Sequence, residues 1–266
     1  MTKLVLPVVL LFPVFVFAQE TARGIATIPT RQGVTQSFFI AGMGKVTPQA
    51  VALIYTGGWG TLNLRMEGGQ PKFGANNFLV RTRTDFIRNG VLPVLVDVPS
   101  DERTGVPDLY RFSDKQVADT RAVLAEVRKR APGLPIFIVT TSRSTLSGAH
   151  LARSLGPDEA AGVVLSSSII TSVGPGSYAL DTFNFKSVKL PLLIVHHRGD
   201  TCRATPYGPM ARAVEGLPLI SVKGGKAPES DPCEPFAAHG FYGKEAETVD
   251  AITAWMLKKP FAKEIE

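Results

Sequence analysis

The chain has 266 residues, 44% of them hydrophobic and 20% charged, with 29 Lys and Arg against 23 Asp and Glu and a formal charge of +6. That much apolar content is enough for a folded core and excludes a disordered polyelectrolyte. The cations are scattered, with no basic stripe interleaved with aromatics, so nucleic acid is not an expected partner.

Residues 1–20, MTKLVLPVVLLFPVFVFAQE, set one basic residue before a 15-residue apolar run that closes on the small residues Val16 and Ala18. This is the layout of a signal peptide, residues 1–18, cut after Ala18. The run falls short of the 20 or so residues of a bilayer span and is interrupted by Pro7 and Pro13, so no stable membrane span is expected after cleavage. A chain still tethered by residues 4–18 is the alternative. The mature protein, residues 19–266, has a length suited to one domain, and a periplasmic or secreted location is expected.

Residues 24–29 and 34–40 flank R-Q-G and predict an antiparallel hairpin. A continuous apolar run at 51–55 (VALIY) predicts a buried strand. A helical pattern follows at 76–89, a strand at 91–96 (VLPVLV), and a helix at 113–130 with Ser113 as N-cap and Pro132-Gly133 as its stop. Then come a strand at 136–139 (IFIV), a helix at 145–155, and strands at 162–165, 190–195 (LPLLIV) and 217–222. A last helix runs from Tyr242 or Lys244 to Leu257, with Ala246, Val249, Ile252, Thr253 and Met256 facing inward. Strands that are apolar throughout need cover on both faces. The alternation predicts an α/β fold: a mainly parallel central sheet, an N-terminal antiparallel hairpin and helices on both faces.

Open α/β sheets gather their chemistry at the carboxyl ends of the strands. VALIY is followed by T-G-G-W-G (Thr56 to Gly60), IFIV by T-T-S-R-S-T, and LPLLIV by H-H-R-G-D-T-C with Asp200, while A-A-H-G-F sets His239 before the last helix. The chain order Ser142, Asp200, His239 matches the Ser, acid, His order of one kind of catalytic triad. Asp231 competes with Asp200 but does not follow a strand. Cys202 and Cys233 are the only cysteines, and in an exported chain their parity predicts one disulfide, which would clip the Asp200 loop to the His239 loop. His196, His197 and His239 do not complete a zinc-like spacing with them.

With these residues in place, from I-P-T-R-Q-G-V-T-Q to H-G-F-Y-G-K-E, the chain resembles the α/β-hydrolase superfamily, and within it the small exported bacterial serine hydrolases without a large cap. The resemblance implies Ser142 as nucleophile, His239 as general base and Asp200 as the orienting acid. It implies an oxyanion hole from the backbone N–H of Arg143 and of Trp59 or Gly58, with no cofactor or metal. The implied activity is a carboxylic-ester hydrolase taking a small-molecule ester or acyl substrate; peptidase and acyltransferase chemistry would use the same residues. Only 24 residues (166–189) lie where many such enzymes insert a helical cap, so an open pocket is expected.

One departure bears on this reading. The usual nucleophile elbow is G-x-S-x-G, its glycines letting strand and helix meet in a tight turn; here Thr140 and Ser144 fill both positions, and the β-branched Thr140 is expected to crowd the turn. A scaffold kept only for binding, a weakened or inactive envelope protein, would have no need of those glycines. Arg143 can attract an anionic group or make structural hydrogen bonds, and Trp59 can line the pocket or simply pack. His150 is expected to be structural on the helix after the elbow, one of His196 and His197 to pack or bond to backbone, and Asp97 to brace a neighbouring loop.

Overall fold

The computed structural model describes residues 24–266; the expected signal peptide lies outside the described residues. In chain order the elements are β1 (Gly24–Arg31), β2 (Val34–Ile40), β3 (Ala50–Tyr55), β4 (Arg65–Glu67), β5 (Gln70–Lys72), α1 (Phe78–Arg81), α2 (Arg83–Arg88), β6 (Val91–Pro99), α3 (Asp108–Arg111) and α4 (Asp114–Arg130). They continue with β7 (Ile136–Thr141), α5 (Thr145–Ser154), β8 (Gly162–Ser166), β9 (Leu192–His197), α6 (Tyr207–Ala213), β10 (Leu219–Val222), α7 (Glu245–Met256) and β11 (Glu264–Ile265). Nine strands form one sheet in the order β1-β2-β6-β3-β7-β8-β9-β10-β11, with β4 and β5 forming a separate ribbon. The β1–β2 and β2–β6 pairs are antiparallel, and every later pair in the sheet is parallel.

The apolar strands are covered as their sequences require. On one face, Val51, Leu53, Ile136, Ile138, Val163 and Ile194 pack against Val123, Leu124 and Val127 of α4 and Leu146, Ala149 and Leu151 of α5. On the other, Ile54, Leu95, Val139, Val164 and Val195 meet Phe78 and Leu79 of α1, Phe86 of α2, and Val249 and Ile252 of α7. Alternate residues of one strand therefore feed two cores, which is why none of these strands alternates with polar residues.

Several elements differ from the sequence expectation. The helix expected over 76–89 is two short helices, broken at Thr82, whose hydroxyl donates to the Phe78 carbonyl at 2.7 Å; a side chain that bonds back into the helix competes with its propagation. The elements β4, β5, α3, α6 and β11 are too short to give a periodicity. Ser113 caps α4 by accepting from the Gln116 N–H. Asp97 braces the loop after β3, accepting from the amides of Leu62 (2.7 Å) and Leu64 (3.0 Å). Between β8 and β9 the chain forms one short 3-10 turn, Phe185–Ser187, and no cap.

The junction of β7 with α5 resolves the expected crowding at Thr140. This side chain is fully buried and its hydroxyl donates to the Val164 carbonyl at 2.9 Å. Space for it comes from the helix: a Cβ on Gly148 would lie 2.6 Å from Thr140 Oγ1 and 2.7 Å from Leu165 Cδ2. The glycine missing from the strand side of the turn is supplied on the helix side. Gly148→Ala is expected to destabilise the protein by about 1–3 kcal/mol through overpacking, and Thr140→Gly in the same chain to recover part of that loss. Urea midpoints of the two single variants and the double variant measure the coupling, and additive losses would contradict the compensation.

Candidate active site

Ser142 follows directly on β7, in a 3-10 turn (Ser142–Ser144) that leads into α5. Its φ of +55° is left-handed, a conformation an L-residue adopts only when its surroundings enforce it. Enforcement comes from Ser144, whose buried hydroxyl accepts from the Thr141 N–H at 2.9 Å and lies 2.8 Å from the Tyr55 carbonyl on β3, to which it can donate. Thr145 adds a bond from its hydroxyl to the Ser142 carbonyl at 2.6 Å. Ser144 is thus a tie between the turn and the neighbouring strand, a contact glycine could not make.

Asp200 sits in the turn after β9, where its N–H donates to the His197 carbonyl. Oδ1 accepts from the Cys202 N–H at 2.9 Å; Oδ2 accepts from the Thr205 hydroxyl at 2.8 Å and lies 3.0 Å from His239 Nδ1. A carboxylate only accepts, so the proton on Nδ1 points to Asp200, and Nε2 is left as the acceptor for the Ser142 hydroxyl 3.0 Å away. His239 occupies a short turn, Ala238–Gly240, held by Ser167, which donates to the His239 carbonyl at 2.7 Å, and by Arg81, which donates to the Gly240 carbonyl at 2.7 Å. A Cβ on Gly240 would overlap the Pro235 carbonyl. Ser142, His239 and Asp200, far apart in sequence, form one hydrogen-bonded chain at the carboxyl ends of the strands. Asp231 is exposed, and its carboxylate makes no bond to His239.

Cys202 and Cys233 form the expected disulfide, which joins the Asp200 loop to the segment before His239. Closing a loop of this length stabilises a fold by about 3–4 kcal/mol in the chain-entropy picture. His196 bonds the Thr205 carbonyl through Nε2 at 2.7 Å, and His197 the Gly224 carbonyl at 3.1 Å. Both rings are structural, and His196 steadies the residue that bonds Asp200. His150 is buried on α5 with its ring edge-on to Phe112.

The loop after β3 supplies the facing wall. Gly57 to Gly60 form a tight turn in which the Gly60 N–H donates to the Gly57 carbonyl at 3.1 Å, with Gly58 at φ +59°. The amides of Gly58 and Trp59 find no acceptor among the described residues. A Cβ on Gly57 would lie 2.9 Å from Ser142 Cβ, so only glycine lets this loop approach the serine. Arg143 does not stand free: its Nε donates to Asp108 at 2.7 Å and its guanidinium lies 4.3 Å over the Trp59 ring. Arg111, fully buried, donates to the Gly58 carbonyl at 2.8 Å. Burial, with the nearby charge of Arg143, lowers the Arg111 pKa to about 10, so it remains a cation at neutral pH.

Ser142 and His239 open onto a cleft of about 440 Å³ walled by Trp59, Phe78, Ile169, Ala204, Pro235 and the disulfide. Of the residues expected from sequence, Ser142, His239, Gly58, Trp59 and Arg143 line this cleft, and Asp200 lies behind His239, bonded to its Nδ1. Gly57, Gly148, Thr205 and Arg111 were not singled out. Gly57 stood in T-G-G-W-G, but the other three carry no local signal, because their roles arise from contacts across the fold.

No family model matches the chain, and no curated protein matches it in sequence. Its fold is similar to that of solved structures. An α/β serine hydrolase without lid from Xanthomonas campestris superposes with a TM-score of 0.56 at 13% identity, over 93% of this chain and 96% of that one. Est1E from Butyrivibrio proteoclasticus, solved with ferulic acid bound, gives 0.58 at 14%, over 88% and 98%. A soluble variant of monoglyceride lipase from Saccharomyces cerevisiae, in complex with a substrate analogue, gives 0.55 at 14%, over 92% and 98%. The described residues therefore form an α/β-hydrolase fold, and one without a large cap.

Burial lowers the pKa values of His196, His197 and His150. Below about pH 6.5 the unfolded chain protonates these rings while the folded chain resists, so the unfolded state binds more protons and stability falls with pH. Urea midpoints at pH 7.5 and 5.5 should differ in this direction, and by less in His196→Gln; equal midpoints would contradict the assignment.

Proposed function

We propose that the protein is an exported serine hydrolase, a carboxylic-ester hydrolase working through Ser142, His239 and Asp200 by way of an acyl-enzyme, with residues 1–18 removed and residues 19–266 forming one domain. The observation that carries the reading is the unbroken chain Ser142 Oγ, His239 Nε2, His239 Nδ1, Asp200 Oδ2, each link 3.0 Å, set on a serine held at positive φ. A serine hydroxyl is a poor nucleophile until a base takes its proton. Export is supported by the signal-like first residues and by the disulfide.

In this mechanism Ser142 Oγ attacks the ester carbonyl carbon as its proton passes to His239 Nε2, and Asp200 stabilises the imidazolium. Charge that gathers on the carbonyl oxygen is met by the amide of Arg143 and by that of Trp59 or Gly58; one such donor lowers the barrier by about 3 kcal/mol. The tetrahedral species collapses as the alcohol leaves with the proton from His239. Water then gives its proton to the same nitrogen as it attacks the acyl-enzyme, and collapse releases the acid while His239 returns that proton to Ser142 Oγ. The open cleft and the missing cap favour small or exposed esters over long enclosed acyl chains.

Peptide hydrolysis and acyl transfer would use the same groups and differ in leaving group or acceptor. A binding-only scaffold was suggested by the loss of the elbow glycines. The Gly148 hollow and the Ser144 tie weigh against it, since they preserve the strained turn that a binding module does not need.

The purified protein should hydrolyse 4-nitrophenyl acetate and butyrate, with Ser142→Ala lowering kcat by at least about 10⁴-fold and leaving the melting temperature within a few degrees. Full activity in that variant would refute the assignment. Gly57→Ala should lower kcat by about 10- to 100-fold by pushing the donor loop off the serine, read in the same assay, and an unchanged kcat would remove the loop from the mechanism.

A further inference from the structure

We propose that Arg111 is a positioning residue for the oxyanion hole, acting from behind the loop by fixing the peptide between Gly58 and Trp59. The inference rests on the serine-hydrolase reading above and extends it to a residue outside the cleft. The carbonyl of Gly58 and the amide N–H of Trp59 belong to one peptide group, and no peptide bond among the described residues is cis. In a trans peptide the two groups point in opposite directions. Arg111 Nη2 holds the carbonyl at 2.8 Å. Arg111 borders a separate small pocket, shared with Thr56 and Gly60 of the loop, and does not line the cleft, whereas Gly58, Trp59 and Ser142 do. Holding the carbonyl toward Arg111 therefore turns the Trp59 amide toward the cleft.

The rest of the turn is fixed independently. The Gly57 carbonyl accepts from the Gly60 amide, and the Trp59 carbonyl accepts from the Val106 amide at 2.9 Å. Both peptides flanking the one in question are held by backbone, and only the central one depends on a side chain. Gly58 at φ +59° has little intrinsic preference between peptide orientations. Without Arg111 this peptide can rotate while its neighbours stay in place.

The character of Arg111 also points away from a purely structural role. It is 1% exposed, its nearest carboxylate, Asp108, is 3.8 Å from Nε, and that Nε has no hydrogen-bond partner among the described residues. Asp108 already bonds Arg143 at 2.7 Å. A buried guanidinium so sparsely paired is a poor way to stabilise a core, and an apolar side chain of similar length is commonly tolerated in its place. Its charge does have a use beside a developing oxyanion, because it polarises the peptide it holds in the sense that strengthens the Trp59 N–H as a donor.

The test is kinetics, inhibitor binding and melting of Arg111→Met and Arg111→Lys beside the parent and Ser142→Ala. Phenylboronic acid probes the tetrahedral adduct on Ser142, and the substrate's KM probes ground-state binding. Arg111→Met is expected to lower kcat on 4-nitrophenyl butyrate by about 10- to 100-fold, to weaken phenylboronic acid by a similar factor, and to leave KM within about threefold and the melting temperature equal or higher. Arg111→Lys is expected to fall between Met and the parent, and it carries the same readouts if the Met variant does not fold. The proposal is overturned if kcat and boronic acid affinity stay within threefold of the parent in the folded variants, or if they fall only in step with a lowered melting temperature. Activity in Ser142→Ala would instead indict the underlying serine-hydrolase reading, so the two failures are distinguishable.

Discussion

The site depends on one backbone constraint, the positive φ of Ser142. This conformation costs an L-residue on the order of 1–2 kcal/mol and is kept only where packing over-determines it. Three features do so here: the Ser144 hydroxyl tied to β3, the Thr145 hydroxyl on the Ser142 carbonyl, and the close seating of α5 against β7 that Gly148 permits. With the turn fixed, Ser142 Oγ meets His239 from one side and the Gly57 loop from the other. Both approaches leave little slack, since Gly57 has no room for a Cβ and Gly240 is pressed against Pro235.

Asp200 and His239 are held by a second, separate assembly. Asp200 accepts from a backbone amide and a hydroxyl besides the imidazole, so its carboxylate has supports that do not depend on the histidine. The disulfide joins the two loops, and His196 fixes Thr205 from beneath. Ser142 and His239 thus ride on separate supports that meet across a 3.0 Å bond. That division explains why residues remote from the cleft, such as Arg81 and Ser167, each use a hydrogen bond on the carbonyls around His239.

Much of this was legible in the sequence because burial leaves a simple signature. Strands covered on both faces must be apolar throughout, so VALIY, IFIV and LPLLIV announced both the sheet and the strand ends where Ser142 and Asp200 stand. The interval after β8 was too short for a cap, and the two cysteines had only each other. What stayed hidden were requirements created by tertiary contact. Gly148 looked like an ordinary helix residue, yet it balances Thr140 across the strand–helix junction. Arg111 gave no sign of being buried, because a basic residue near Ser113 in sequence is usually a solvated one. The break at Thr82 depends on a side-chain bond that competes with a pattern otherwise suited to one helix.

The central claim is that Ser142 is chemically activated by the assembly around it. Intact-mass analysis of the oxidised protein after exposure to a fluorophosphonate tests this most directly, with Ser142→Ala and His239→Gln treated alongside. A single adduct that maps to Ser142, absent from the alanine variant and formed far more slowly in the glutamine variant, is the predicted result. A folded parent that takes up no adduct, or takes it up at another serine, would contradict the account.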